Sequence, residues 1–406
     1  VKFIKILLPA LFILLIAFAS ELSDKAASVQ RPSRGIASVD ENDSTSSISE
    51  PSELSDTQET PSTSPGTQAM STAISGAARA SVTKYMTPQD FIASLTQITD
   101  ARPSSLSNVS VSFVSEDSIY WANGVNYNLG GTTAVQTAKI RKLILAEFQL
   151  YPTACLQRLG LRNLITSADV NIAQDGTLQE RTATLDAPNG IMTYADSLII
   201  DRPRNIYLDY LDNAERIRGL EAEGRTDPEF TRYLAGERRS LETRRLNGLQ
   251  SLRAVINNIH HEFFHYWDIR DDNNLSPDPA WSALNPANFQ YGAGGRFARG
   301  PEVINWTTTN PGFLNGYSLA GVDEDKAEIW GALMAHSSEL QTRMSSDPVI
   351  ARKVELIKQR AQSFCPEVNA SFWQRVQNTN GARIEFLGRL MQATDEAAAE
   401  MTVPSF

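Results

Sequence analysis

The residues best suited to chemistry lie together in His260-His261-Glu262-Phe263-Phe264-His265. His261 and His265 are four apart, so on an α-helix both imidazoles project from one face and can reach a single metal ion. Glu262, between them, can stand beside that ion without ligating it and accept a proton from water. The chain holds four histidines and three fall in this segment, which argues against an accidental match. His260 and His336 lack such spacing and are read as surface or satisfied core histidines.

A catalytic zinc (Zn2+) needs three protein ligands and one position open for water. Asp271, six residues after His265, is one candidate third ligand, but that arrangement needs a glycine where this chain has Asp268. The stronger candidate is downstream, in Asp323-Glu324-Asp325-Lys326-Ala327-Glu328. Glu324 and Glu328 are one helical turn apart, so Glu324 can ligate while Glu328 hydrogen-bonds a ligating imidazole. Read alone, the same run is an acidic helix N-terminus favoured by the helix dipole; HEFFH upstream favours the ligand.

These residues need helices to carry them and a sheet to pack against. Leu249, Leu252, Ile256, Ile259 and Phe263 form an apolar stripe at spacings of three and four, predicting a long helix whose core face lies away from His261 and His265. Helices are also predicted at 134–150, 324–336, 348–363 and around 370–377. Residues 109–114 and 118–129, with a turn at Asn123-Gly124, read as a β-hairpin. Short apolar runs at 164–165, 170–172, 191–195, 198–200 and 206–208 read as strands. A charge-rich helical insertion, broken at 224–228, is expected over 212–245. The class is α+β, with a small mixed or antiparallel sheet.

HEFFH, WSALNPANFQYG, NGYSLAGVDEDKAEIWGALM and KVELIKQRAQSFCPEVNASFW together resemble the zinc-binding metallopeptidases of bacterial secreted and lipoprotein type. These are glutamate-zincins, distantly similar to the catalytic domain of anthrax lethal factor. The likeness covers roughly residues 143–373 and rests on an HExxH followed by an ExxAE. It implies a zincin-like fold, a small sheet packed on the HExxH helix with a second helix bearing the glutamate. It further implies zinc on His261, His265 and Glu324, catalysis by Glu262, and support from Glu328. Tyr317, seven residues before Glu324, matches a tyrosine that assists catalysis in lethal factor. The long insertion before the motif helix and the region before residue 143 depart from the family's pattern.

Residues 1–19 have two lysines, an apolar run and a closing Ala17-Phe18-Ala19, the pattern of a signal peptide cleaved after Ala19; an uncleaved anchor is the alternative. Residues 20–84, rich in Ser, Thr and Pro, offer too little apolar surface to offset ordering and read as a disordered linker. Residues 85–142 read as an N-terminal hairpin and helix region, 143–380 as the zinc domain, and 381–406 as a C-terminal helix and tail. A net charge of -10 opposes binding to nucleic acid or anionic lipid. Cys155 and Cys365 are either a disulfide or two buried thiols. The expected protein is therefore exported and acts on a peptide or protein substrate. Its rivals are a tethered surface binding protein with a structural or lapsed zinc site, and a zinc hydrolase of a non-peptide substrate.

Overall fold

Thr87 opens the fold as a helix cap, its hydroxyl accepting from Asp90 N while the Asp90 side chain accepts from Thr87 N. Helix α1 (Pro88–Ser94) follows. The computed structural model describes residues 86–98, 102–122, 125–174, 177–271, 277–295, 298, 306–307 and 309–406. The expected signal peptide, the linker and the Asn123-Gly124 turn lie outside the described residues.

Among the described residues, nine strands make two sheets. The five-stranded sheet runs in the order β1 (Thr96–Gln97), β2 (Ser110–Phe113), β5 (Asn163–Ser167), β9 (Ile191–Ala195), β8 (Ala183–Asp186). Its β2, β5 and β9 are parallel, while β1 and β8 close the two edges antiparallel. A four-stranded antiparallel sheet takes the order β3 (Ser118–Ala122), β4 (Val125–Leu129), β6 (Val170–Gln174), β7 (Thr177–Glu180). Of the hairpin expected over 109–114 and 118–129, the part within 118–129 is present as β3 and β4, whereas 110–113 is β2 of the other sheet, and the chain is α+β.

Helix α2 (Ala138–Phe148) is buried along its whole length, and α3 (Thr153–Leu159) ends at Gly160. Residues 198–200 and 206–208, expected as strands, are instead a π-turn over Ser197–Asp201 and part of helix α4 (Arg202–Ala222). A run of three apolar residues suits either structure. Here Pro203 sits in the first helical turn, where its missing N–H costs nothing. Tyr207 and Ile217 are buried, with Tyr210 and Leu211 packed against the core beside them.

Helix α5 (Pro228–Asp271) is 44 residues long, a rod of about 66 Å at helical rise. Its first half pairs with α4, and the charge-rich insertion was expected as helices broken at 224–228. It was not expected to be continuous with the motif helix. Exposed pairs lace the hairpin, including Arg238 with Glu221 at 2.8 Å and Arg216 with Glu237. Solvent screens such exposed pairs, so each contributes little to stability.

The helices described after α5 are α6 (Pro279–Ser282), α7 (Val322–Ala335), α8 (Ser337–Ser346), α9 (Pro348–Phe364), α10 (Ala370–Gln392) and α11 (Asp395–Glu400). The boundaries expected at 142 and 380 fall inside α2 and α10, and the described residues belong to one compact unit. Arg383, beyond the second boundary, is fully buried and donates to Glu147 on α2 and to the Met334 carbonyl on α7. Cys155 and Cys365 form a disulfide, Cα to Cα 5.6 Å, that ties α3 to the end of α9 across 210 residues. Closing so long a loop is worth up to about 5 kcal/mol in the chain-entropy picture. No helix among the described residues is long and apolar enough to cross a membrane.

Candidate metal centre

Leu252, Val255, Ile256, Ile259 and Phe263 bury one side of α5, where Phe263 meets Phe148 and Tyr151. Tyr194 of β9 locks the helix to the sheet, its hydroxyl donating to the Ile259 carbonyl at 3.0 Å. On the other side α7 crosses close by. Gly331 makes that approach possible, since a Cβ there would sit 2.7 Å from Asn257 Oδ1 and 2.9 Å from the Asn257 carbonyl. Two turns before Gly331, Glu324 faces the histidines.

His261 Nε2, His265 Nε2 and Glu324 Oε2 form a triangle with edges of 3.1, 3.2 and 3.3 Å. Ligands held at ordinary zinc bond lengths on the corners of a tetrahedron are about 3.3 Å apart. The three atoms therefore fit one zinc-sized cation without moving appreciably. Two nitrogens and a carboxylate also form the donor set of an open catalytic zinc site. His261 and Glu324 are buried, and the His265 side chain is 14% exposed.

The ring of partners is equally ordered. Glu328 Oε1 lies 3.0 Å from Nδ1 of His261, and Asn315 Nδ2 donates to the other carboxylate oxygen at 2.7 Å. Asn315 is in turn held by Ser318, whose N–H and hydroxyl both donate to its Oδ1. Tyr317 Oη donates to Glu324 Oε1 at 3.2 Å. Glu262 faces the sheet side, where Thr182 Oγ1 donates to its Oε1 across a close hydrogen bond. Of the residues singled out in the sequence, His261, Glu262, His265, Tyr317, Glu324 and Glu328 thus come together.

The remaining candidates fall elsewhere. Asp271 is outside this cluster and lines a small cavity with Asp268, Lys326 and Arg360. His260 is a satisfied core histidine, its Nδ1 2.8 Å from Tyr151 Oη and its Nε2 2.9 Å from Glu147 Oε2. Burial holds its pKa below the ordinary imidazole value. His336 is likewise depressed by burial, to about 4.

Burial alone would press the His261 ring toward neutrality, but the carboxylates of Glu324 and Glu328 overcome it and hold its pKa well above the usual value. His265 is raised in the same way, chiefly by Glu324. For Glu324, burial works upward, yet the two imidazoles win and keep its carboxyl well below the carboxylate range. Burial, then the charge of Glu324, holds the Tyr317 phenol up and therefore protonated. The metal-free cluster is thus a proton-sharing set. Those protons must leave when a cation enters, so metal affinity rises with pH.

Thr182, Asn315 and Gly295 were not picked out from the sequence. A Cβ on Gly295 would overlap both Glu324 Oε1 and Tyr317 Oη. The preceding backbone is pinned there by Gly292 N to Leu319 O, 2.9 Å, and Gly294 N to Ala320 O, 2.7 Å. Gly295→Ala is therefore expected to push the carboxylate aside and weaken zinc retention about 10- to 100-fold. Zinc content after dialysis against a graded chelator checks this; unchanged retention would mean the segment yields instead.

No protein-family model, no curated protein and no solved structure matches the chain.

Proposed function

We propose that the protein is a zinc-dependent peptidase of the glutamate-zincin kind, with a zincin-like arrangement of edge strand, motif helix and glutamate helix. The observation that carries this is the ligand triangle of His261, His265 and Glu324 with Glu262 beside it and outside it. A bound zinc supplies a Lewis acid that polarises a scissile carbonyl and acidifies water.

The chain's own groups do the rest. Glu262, oriented by Thr182, takes a proton from the attacking water and returns it to the departing amine. Tyr317, kept protonated and donating to Glu324 in the metal-free site, can turn its O–H toward the oxygen on which charge develops. Glu328 and Asn315 fix the His261 ring so that Nε2, not Nδ1, faces the ion.

An extended substrate would pair with a sheet edge, and from the sequence the strand at 191–195 is the candidate edge. That strand is β9, which β5 and β8 flank on both sides; the edge next to the motif helix is β8. All five residues of β9 are buried, as in a strand covered on both faces. Ala195 N donates to Thr182 O; the antiparallel alternation then turns the backbone groups of Ala183 away from β9, while the Leu185 carbonyl accepts from Tyr127 Oη at 3.3 Å. An extended peptide pairing there would run past Glu262.

The disulfide fits an oxidising compartment, in keeping with the export proposed from residues 1–19. The test is digestion of a peptide library by the purified protein. Cleavage stopped by a chelator and restored by zinc is expected. Stoichiometric zinc with no peptide cleavage would contradict a peptidase and favour a lapsed site or a non-peptide substrate.

A further inference from the structure

Glu324, Asp325 and Lys326 are three consecutive charged residues, and all three are buried. Successive helix residues point about 100° apart, so these side chains leave α7 in different directions. Asp325 turns toward α9 and α6, where its Oδ2 accepts from Lys353 Nζ at 2.6 Å, Trp281 Nε1 at 2.8 Å and Tyr291 Oη at 2.6 Å. Lys353 is itself held by the Gly312 carbonyl at 2.7 Å and stacks over the Phe313 ring. Lys326 turns the other way and donates to Asp268 on α5, one turn past His265, with Asp278 at 3.5 Å. Arg360 of α9 closes that second group on Asp278.

We propose that Asp325 and Lys326 are positioning residues for Glu324: two buried polar anchors that fix the rotation of α7 about its axis, and hence the place of the third metal ligand. The proposal rests on the metal reading of His261, His265 and Glu324. A carboxylate stands about 6 Å from its helix axis, so a turn of only about 20° carries it about 2 Å. Ligand geometry tolerates roughly 0.5 Å. Helix packing against apolar neighbours resists sliding more than small rotations, whereas two directional bonds in different directions stop both. Lys326 to Asp268 also joins the glutamate helix directly to the histidine helix. The tryptophan and tyrosine of WSALNPANFQYG and the first lysine and the arginine of KVELIKQRAQSF, segments with no role in the chemistry, supply the counter-groups.

Two double variants test this without stranding a lone charge in the core: Lys326→Met with Asp268→Asn, and Asp325→Leu with Lys353→Met. Lys139→Met with Asp395→Asn, another pair with a buried lysine, serves as control. Zinc affinity is read by competition with a chromophoric chelator, folding by circular dichroism, and ligand number by the cobalt(II) d–d spectrum. Each anchor variant is expected to fold, lose affinity about 10- to 100-fold, and show a cobalt spectrum moved toward that of Glu324→Ala. The control keeps wild-type affinity. If either anchor variant folds and binds zinc as the wild type does, the proposal is overturned while the metal reading stands. A wild-type chain that takes up no zinc removes both. Should one anchor variant fail to fold, the affinity and spectrum of the other decide.

Discussion

Glu262→Gln is expected to retain one zinc per chain and lose about 1,000-fold in kcat. The substitution keeps shape and an acceptor oxygen, so Thr182 can still donate to it and the local fold has no reason to change. What disappears is the ability to take a proton, a contribution of roughly 100- to 10,000-fold for a positioned general base. Because Glu262 is outside the triangle of ligand atoms, metal content should not follow activity down. Turnover near the wild-type rate would refute the base assignment. Loss of zinc together with activity would instead place Glu262 among the ligands.

Glu324→Ala is expected to do the opposite, abolishing activity by emptying the site. The two imidazoles remain, 3.2 Å apart at Nε2, but two neutral nitrogens form a poor and incomplete donor set. If the binding energy of a three-ligand site is shared among its members, losing one costs roughly 1,000-fold in affinity. The proton linkage should weaken as well. In the wild type Glu324 holds both histidines protonated to higher pH, so zinc uptake must expel those protons and affinity climbs steeply with pH. Without the carboxylate the rings deprotonate sooner and the climb is shallower. Chelator competition across pH 6 to 8.5, about the range where imidazole and zinc compete, measures both effects. A variant with undiminished affinity would assign the third ligand elsewhere.

The chemistry was more legible than its scaffold because the former is written in local spacing. His261, Glu262 and His265 share one helix, and four residues bring two rings to one face whatever the rest of the chain does. Glu324 with Glu328 is the same argument on a second helix. Thr182 carried no comparable signal. It reaches Glu262 only because β8 pairs with β9 and places the strand edge over α5, a consequence of strand order that a string of residues does not display. Gly295 was one glycine among many until its Cα was seen against Glu324.

Misread segments share a cause. Runs such as Ile206-Tyr207-Leu208 are too short to distinguish a period of two from one of 3.6, and packing of α4 along α5 decided the matter. The five buried residues of β9 looked like any apolar strand, so an interior position was not separable from an edge. The run holding Asp325 and Lys326 reads, taken alone, as an acidic helix N-terminus, and nothing local marks these two as buried anchors, since their counter-charges Lys353, Asp268 and Asp278 are distant in sequence. The cysteines could be paired only once α3 and α9 were seen side by side.

The most direct measurement is anomalous diffraction from crystals of the zinc-loaded protein, collected on either side of the zinc absorption edge. A single peak is expected at bonding distance, about 2.0–2.2 Å, from His261 Nε2, His265 Nε2 and a Glu324 oxygen, with the fourth direction open. A peak elsewhere, or none at full zinc loading, would contradict the account at its root.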